Sequence, residues 1–170
     1  MKNSFGKFVP LTLVLLFSFG CATPMPPVNF SAPNIGVSST KLDAELKSLT
    51  VSVARPDEAT GEIDPGIAVH TGLWKTALEE AFNRMAIFKD DSPKKVSLAV
   101  KILKFQTISA FPAAHTSARY EIIDRSDGSI IFTTDISTSG EGPFKLEPFA
   151  DDAVGSRSVD GINRSVQKNI

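Results

Sequence analysis

Apolar residues between Leu46 and Ile170 change their spacing in a set order. They recur at every second position, then at every third and fourth, then at every second position in three successive runs, and finally at three and four again. In residues 46–54, Leu49, Val51 and Val53 face one way and Thr50 and Ser52 the other, the period of a half-buried strand. Residues 55–66 are polar and rich in turn formers and read as a loop. In residues 67–88 the stripe of Trp74, Leu78, Ala81, Phe82 and Met85 is helical, with Asp64-Pro65 suited to its entry. Three alternating runs follow, centred on Val96 to Ile102, Ala118 to Ile122 and Ile130 to Ile136. Ser126-Asp127-Gly128 is a tight-turn signal that makes a hairpin of the last two, and residues 106–115 read as a longer connection. Residues 149–170 carry a weaker helical stripe of Val159, Ile162, Val166 and Ile170, with Gly155 and Gly161 each costing roughly 1 kcal/mol against alanine. The order β-α-β-β-β-α, with alternating strands, predicts a two-layer α+β sandwich. Its sheet is four-stranded and mainly antiparallel, with both helices on one face.

Length and composition narrow the class further. A chain of 170 residues holds one domain comfortably, and a formal net charge of -1 excludes a strongly basic nucleic-acid binder. One cysteine and two histidines leave no internal disulfide framework and little material for a metal centre.

That one cysteine, Cys21, stands at the end of an apolar run. Lys2 and Lys7 precede residues 8–19, a run of about 12 residues against the roughly 20 needed to cross a bilayer as a helix. This is the form of a secretory signal peptide over residues 1–20, with a retained short anchor as the alternative. Ser18-Phe19-Gly20-Cys21 resembles a bacterial lipobox, in which the cysteine thiol is the nucleophile that takes up a diacylglyceryl group. The competing expectation is ordinary cleavage after Ala22, which would release a chain without Cys21. With lipidation, two or more acyl chains anchor stably, and Ala22 after the cysteine favours the outer membrane by the same resemblance. Pro24, Pro26, Pro27 and Pro33 then make residues 21–40 a proline-rich tether, ahead of a domain over 41–170. The alternative for this stretch is an irregular strand lying on the domain surface, which residues 28–30 suit.

Little in the sequence points to turnover. His70 and His115 lack a Gly-x-Ser-x-Gly elbow or any other nucleophile motif, and no HExxH, P-loop or GxGxxG is present. No metal site or cofactor is implied. Asp90-Asp91 and Asp151-Asp152 read as solvated caps, because neighbouring side chains on an element point apart. Trp74 reads as core. Phe105, Phe111 and Phe144 sit in or beside expected loops, so they are candidate interface residues, with folding back over the sheet ends as the alternative.

The segments "LWKTALEEAFNRMAIFKDD", "ARYEIIDRSDGSIIF" and "SVDGINRSVQKNI", with the lipobox and tether, resemble small bacterial envelope lipoproteins of unassigned role. The layout is also similar to auxiliary lipoproteins of envelope transport and assembly systems and to the N-terminal domain of the Tol-system periplasmic protein. Some such lipoproteins carry the label UDP-N-acetylglucosamine acyltransferase. The enzymes of that name resemble a left-handed β-helix of hexapeptide repeats, which this chain does not contain. The resemblance implies a protein on the periplasmic side of the outer membrane, anchored through a lipid (palmitate) on Cys21, that acts as a non-catalytic adaptor for another envelope protein and does not bind nucleic acid. Two alternatives are an envelope enzyme acting on a lipid or sugar nucleotide, and a small-ligand carrier. The carrier requires an apolar cavity of at least roughly 300 Å³ between helices and sheet.

Overall fold

The computed structural model describes residues 28–108, 113–142 and 151–170, with the side chains of the last segment described from residue 159 onward. Strand β1 (Glu45–Val53) is followed by a 3-10 turn (Pro65–His70) and helix α1 (Thr71–Met85). Strands β2 (Lys95–Ile108), β3 (Ala113–Asp124) and β4 (Ile130–Glu141) come next, and helix α2 (Asp151–Asn169) closes the order. The sheet runs β1-β2-β3-β4 and is open. It is mixed: β1 pairs with β2 in parallel, while β2–β3 and β3–β4 are antiparallel. The parallel pair follows from its connection, since a crossover carrying a helix returns the chain to the end from which it started. The expected α+β layering is present, with both helices over one face of the sheet.

Local chemistry explains the element ends. Asp64 Oδ1 accepts the Gly66 N–H at 2.9 Å and Pro65 opens the 3-10 turn, so the helical segment starts where the proline entry signal lies. Helix α1 stops at Ala86, which takes a left-handed φ of 48° and returns its N–H to the Phe82 carbonyl. In the β3–β4 hairpin, Gly128 adopts φ 78°. Asp124 and Asp127 each accept both the N–H and the hydroxyl of the serine two residues on, Ser126 and Ser129. The Ser126 hydroxyl is the larger influence holding the Asp124 carboxyl below its usual value.

Two expectations differ from what is found. Strands β2 and β3 are longer than their apolar alternation suggests, because Gln106↔His115, Thr107↔Ala114 and Ile108↔Ala113 continue the ladder into the stretch read as a connection. A bulge between Ile102 and Lys104 absorbs one residue, so Ile102 and Phe105 both stay on the core side, and Leu103 is buried as well. The other difference concerns residues 28–40, read as part of the tether. Phe30 and Ala32 are buried, the Asn29 N–H reaches Asn163 Oδ1 at 3.1 Å, and the Ser38 N–H reaches the Met85 carbonyl at 2.8 Å. The stretch therefore lies along the helix layer without forming a strand over residues 28–38. Phe30 supplies the apolar anchor, packing edge-on to Trp74 at 6.1 Å between ring centroids.

The core lies between sheet and helices. Trp74, Leu78 and Ile67 from the first helical segment meet Val166 from α2 over Leu98, Val100, Ile102, Ala118 and Tyr120. The opposite face of the sheet carries small and charged side chains, including Arg119, whose guanidinium holds Asp135 through two hydrogen bonds of 2.7 and 2.8 Å.

Candidate functional site

Helix α2 is tied to β3 and β4 by a buried polar cluster. Thr116 Oγ1 lies 2.9 Å from Ser165 Oγ and 2.7 Å from Thr138 Oγ1, and Thr138 Oγ1 donates to the Ser165 carbonyl at 2.8 Å. One turn on, Asn169 Nδ2 donates to the Ile136 carbonyl at 2.9 Å, and the Tyr120 hydroxyl reaches Asn169 Oδ1 at 2.9 Å. Every member answers another, which is the condition for burying such groups without a penalty. Gly140 completes the seam by letting the α2 backbone approach β4 closely.

This seam holds α2 down on the β3–β4 side, while α1 is held over β1 by its own apolar stripe. At the end of the layer where α1 and α2 both finish, they leave a groove of about 540 Å³. Its floor is Val96 and Leu98 of β2, Tyr120 and Ile122 of β3, and Thr134 and Ile136 of β4. Leu78, Phe82, Ile87 and Phe88 form one wall, and Asn169 and Ile170 the other. The lining is almost wholly hydrocarbon, and the volume exceeds what the carrier alternative requires.

The groove extends to the β4 edge of the sheet. Ile131 and Phe132 of β4 line its mouth, and with Ile130 they form three consecutive large apolar residues that are 56%, 45% and 53% exposed in chain order. Edge strands are ordinarily blunted by charge, proline or cover, because their unpaired N–H and C=O groups invite another strand. Residues 130–132 carry no charge.

Tyr120 sits at the meeting point of seam and groove. Burial pushes its hydroxyl up to about 12. The unfolded chain, with a phenol near 10, therefore loses this proton first as pH rises. This group's contribution to stability is constant below about pH 10 and falls by about 1.4 kcal/mol per unit between about pH 10 and 12. Because the chain has a single tyrosine, phenolate absorbance in a titration of the folded protein reports this group alone. Alkaline unfolding of Tyr120→Phe should lack that portion of the pH dependence; an ordinary phenol pKa in the folded state would contradict it.

The sequence-derived candidates fall in several places. Phe105 is 4% exposed and belongs to the core, so it does not serve as an exposed interface residue; the continuation of β2 carries it inward. Phe111, Phe144 and Cys21 lie outside the described residues. His70 ends the 3-10 turn with its ring 6.3 Å from that of Phe30, while His115 stands in β3 opposite Gln106 and Ser139. The fold thus puts the two histidines in different layers. Among the described residues, no three His, Cys, Asp or Glu side chains come together as metal ligands would, and no helix is long and apolar enough to cross a membrane. The groove and the edge patch escaped sequence reasoning. The run Ile130-Ile131-Phe132, which breaks strict alternation at the start of β4, was the available signal.

These elements define an open-sheet α+β protein with an apolar groove between its helices. No family model and no curated protein sequence matches the chain. Among solved structures, it shares its fold with protein XCC0632 (DUF330) from Xanthomonas campestris. The TM-score is 0.52 at 14% identity, over 85% of this chain and 89% of that one. Weaker likenesses include the hypothetical protein CT253 from Chlamydia trachomatis, with TM-score 0.45 at 10% identity over 74% and 90% of the two chains. Lipoprotein GNA1162 from Neisseria meningitidis has TM-score 0.31 at 12% identity over 66% and 90%.

Proposed function

We propose that the protein is a lipid-anchored, non-catalytic adaptor of the bacterial envelope, held through Cys21 on the periplasmic side of the outer membrane. It engages another envelope protein along β4. The observation that carries the adaptor reading is the uncharged, exposed run Ile130-Ile131-Phe132 on the open edge of the sheet. A partner strand added there would satisfy its main chain against β4 and cover the three side chains. The anchoring part rests on the short apolar run that ends at Cys21.

A photo-crosslinking residue in place of Ile131 tests both parts in cells. The expected result is a discrete adduct in the membrane fraction and none from the same residue at Ser52, which is exposed on β1. Cys21→Ala should move the protein out of that fraction and remove the adduct, and the mature wild-type mass should show acyl chains. A mature chain without lipid overturns the anchor; equal labelling at both positions, or none, overturns the edge.

A second reading, a small-ligand carrier, is favoured by the groove itself. An adaptor needs no cavity of about 540 Å³ between its helices.

A further inference from the structure

We infer that the groove binds the hydrocarbon tail of a single-tailed amphiphile; this rests on the carrier reading above. Asp43, Lys94 and Asn169 are polar side chains that line the groove, and each is already paired. Asn169 is occupied by Tyr120 and the Ile136 carbonyl, Asp43 by Lys89, and Lys94 by Asp124. Beyond the Thr134 hydroxyl on the floor, an occupant that brought amide N–H or C=O groups into the groove would find these partners engaged, at a cost of about 1–3 kcal/mol for each group left unanswered. A peptide brings such groups at every residue, and a sugar or nucleotide brings more. A hydrocarbon tail brings none.

Size selects further. At about 30 Å³ per methylene, close to the share of one water molecule in the liquid, a volume of about 540 Å³ accommodates one tail of dodecanoate length and not two. The floor crosses β2, β3 and β4, about 10 Å at the usual strand spacing. The tail would lie on Leu98, Tyr120 and Ile136, between Phe82 and Ile170. Its head would stay in water at the mouth.

The test uses the full chain carrying Cys21→Ala, so that no lipid of its own competes. Octanoate, decanoate and dodecanoate, each below its micelle concentration, are titrated calorimetrically. One molecule of dodecanoate should bind per chain, and affinity should rise about fourfold per methylene along the series, the equivalent of ~0.8 kcal/mol. Thr134→Phe, which fills the floor from β4, should weaken dodecanoate at least tenfold without lowering the melting temperature. Ser52→Phe on the outer face controls for added bulk and should leave binding unchanged. Naphthalene, compact and apolar, separates a general apolar site from a tail site. If naphthalene binds and the carboxylates do not, the carrier reading stands and the tail is overturned. If neither binds, both fall. Carboxylate binding that ignores chain length, or that Thr134→Phe leaves intact, also overturns the inference.

Discussion

Gly140→Ala should lift α2 from the sheet and cost several kcal/mol, out of proportion to one added methyl group. A Cβ at this position would stand 2.9 Å from the Arg164 carbonyl carbon and nearer still to Gly161 O and Ser165 N. All three are backbone atoms of a helix, so none can turn aside as the end of a long side chain would. Relief requires α2 or β4 to move as a body, and that movement stretches the Thr116–Ser165–Thr138 cluster and the Asn169 bonds together. Buried hydrogen-bonding groups left without partners cost about 1–3 kcal/mol each. Urea unfolding should show a lowered midpoint, and hydrogen exchange should show loss of protection in α2 before β2. Gly36→Ala, where an added Cβ meets nothing within 4 Å, is the control. If the two variants unfold alike, the close approach at Gly140 has no energetic weight.

Trp74→Ala should be of similar severity, about 3–5 kcal/mol, the range for truncating a large buried aromatic. Trp74 is 0% exposed and bridges Phe30, the sheet and α1. Its removal opens a cavity beneath a helix that is held to the sheet largely by that stripe. Trp74→Phe should cost much less, because it keeps most of the volume and deletes the one buried side-chain polar atom without a hydrogen-bond partner among the described residues, Trp74 Nε1. The chain has a single tryptophan, so circular dichroism rather than fluorescence must follow these unfolding curves. Equal losses for the two variants would show that the indole N–H has a partner worth about as much as the packing.

The contrast between these two positions shows what a sequence discloses. Trp74 was legible as core because it stands at helical spacing from Leu78 and Ala81, and periodicity is a local property. Gly140 was not legible, because its reason is the backbone of α2, more than twenty residues away in the chain. The same division runs through the rest. The strands, the Asp64-Pro65 entry and the Ser126-Asp127-Gly128 hairpin follow from short-range chemistry and lie where that chemistry places them. Phe105 looked like a loop residue because alternation fades after Ile102, yet ladder pairing with Thr116 continues through the bulge. The groove is a gap between two helices that are each positioned by different strands, and no single segment encodes a gap.

The stretch along α1 bears on where the domain can go. Since Val28 already packs against the core, only the residues between it and Cys21 separate domain from bilayer under the anchoring proposed above. At 3.3–3.6 Å per residue, that leash reaches about 25 Å at full extension. The domain would thus patrol a shallow shell next to the membrane. Any partner for β4, and any tail entering the groove, would have to be met within that shell.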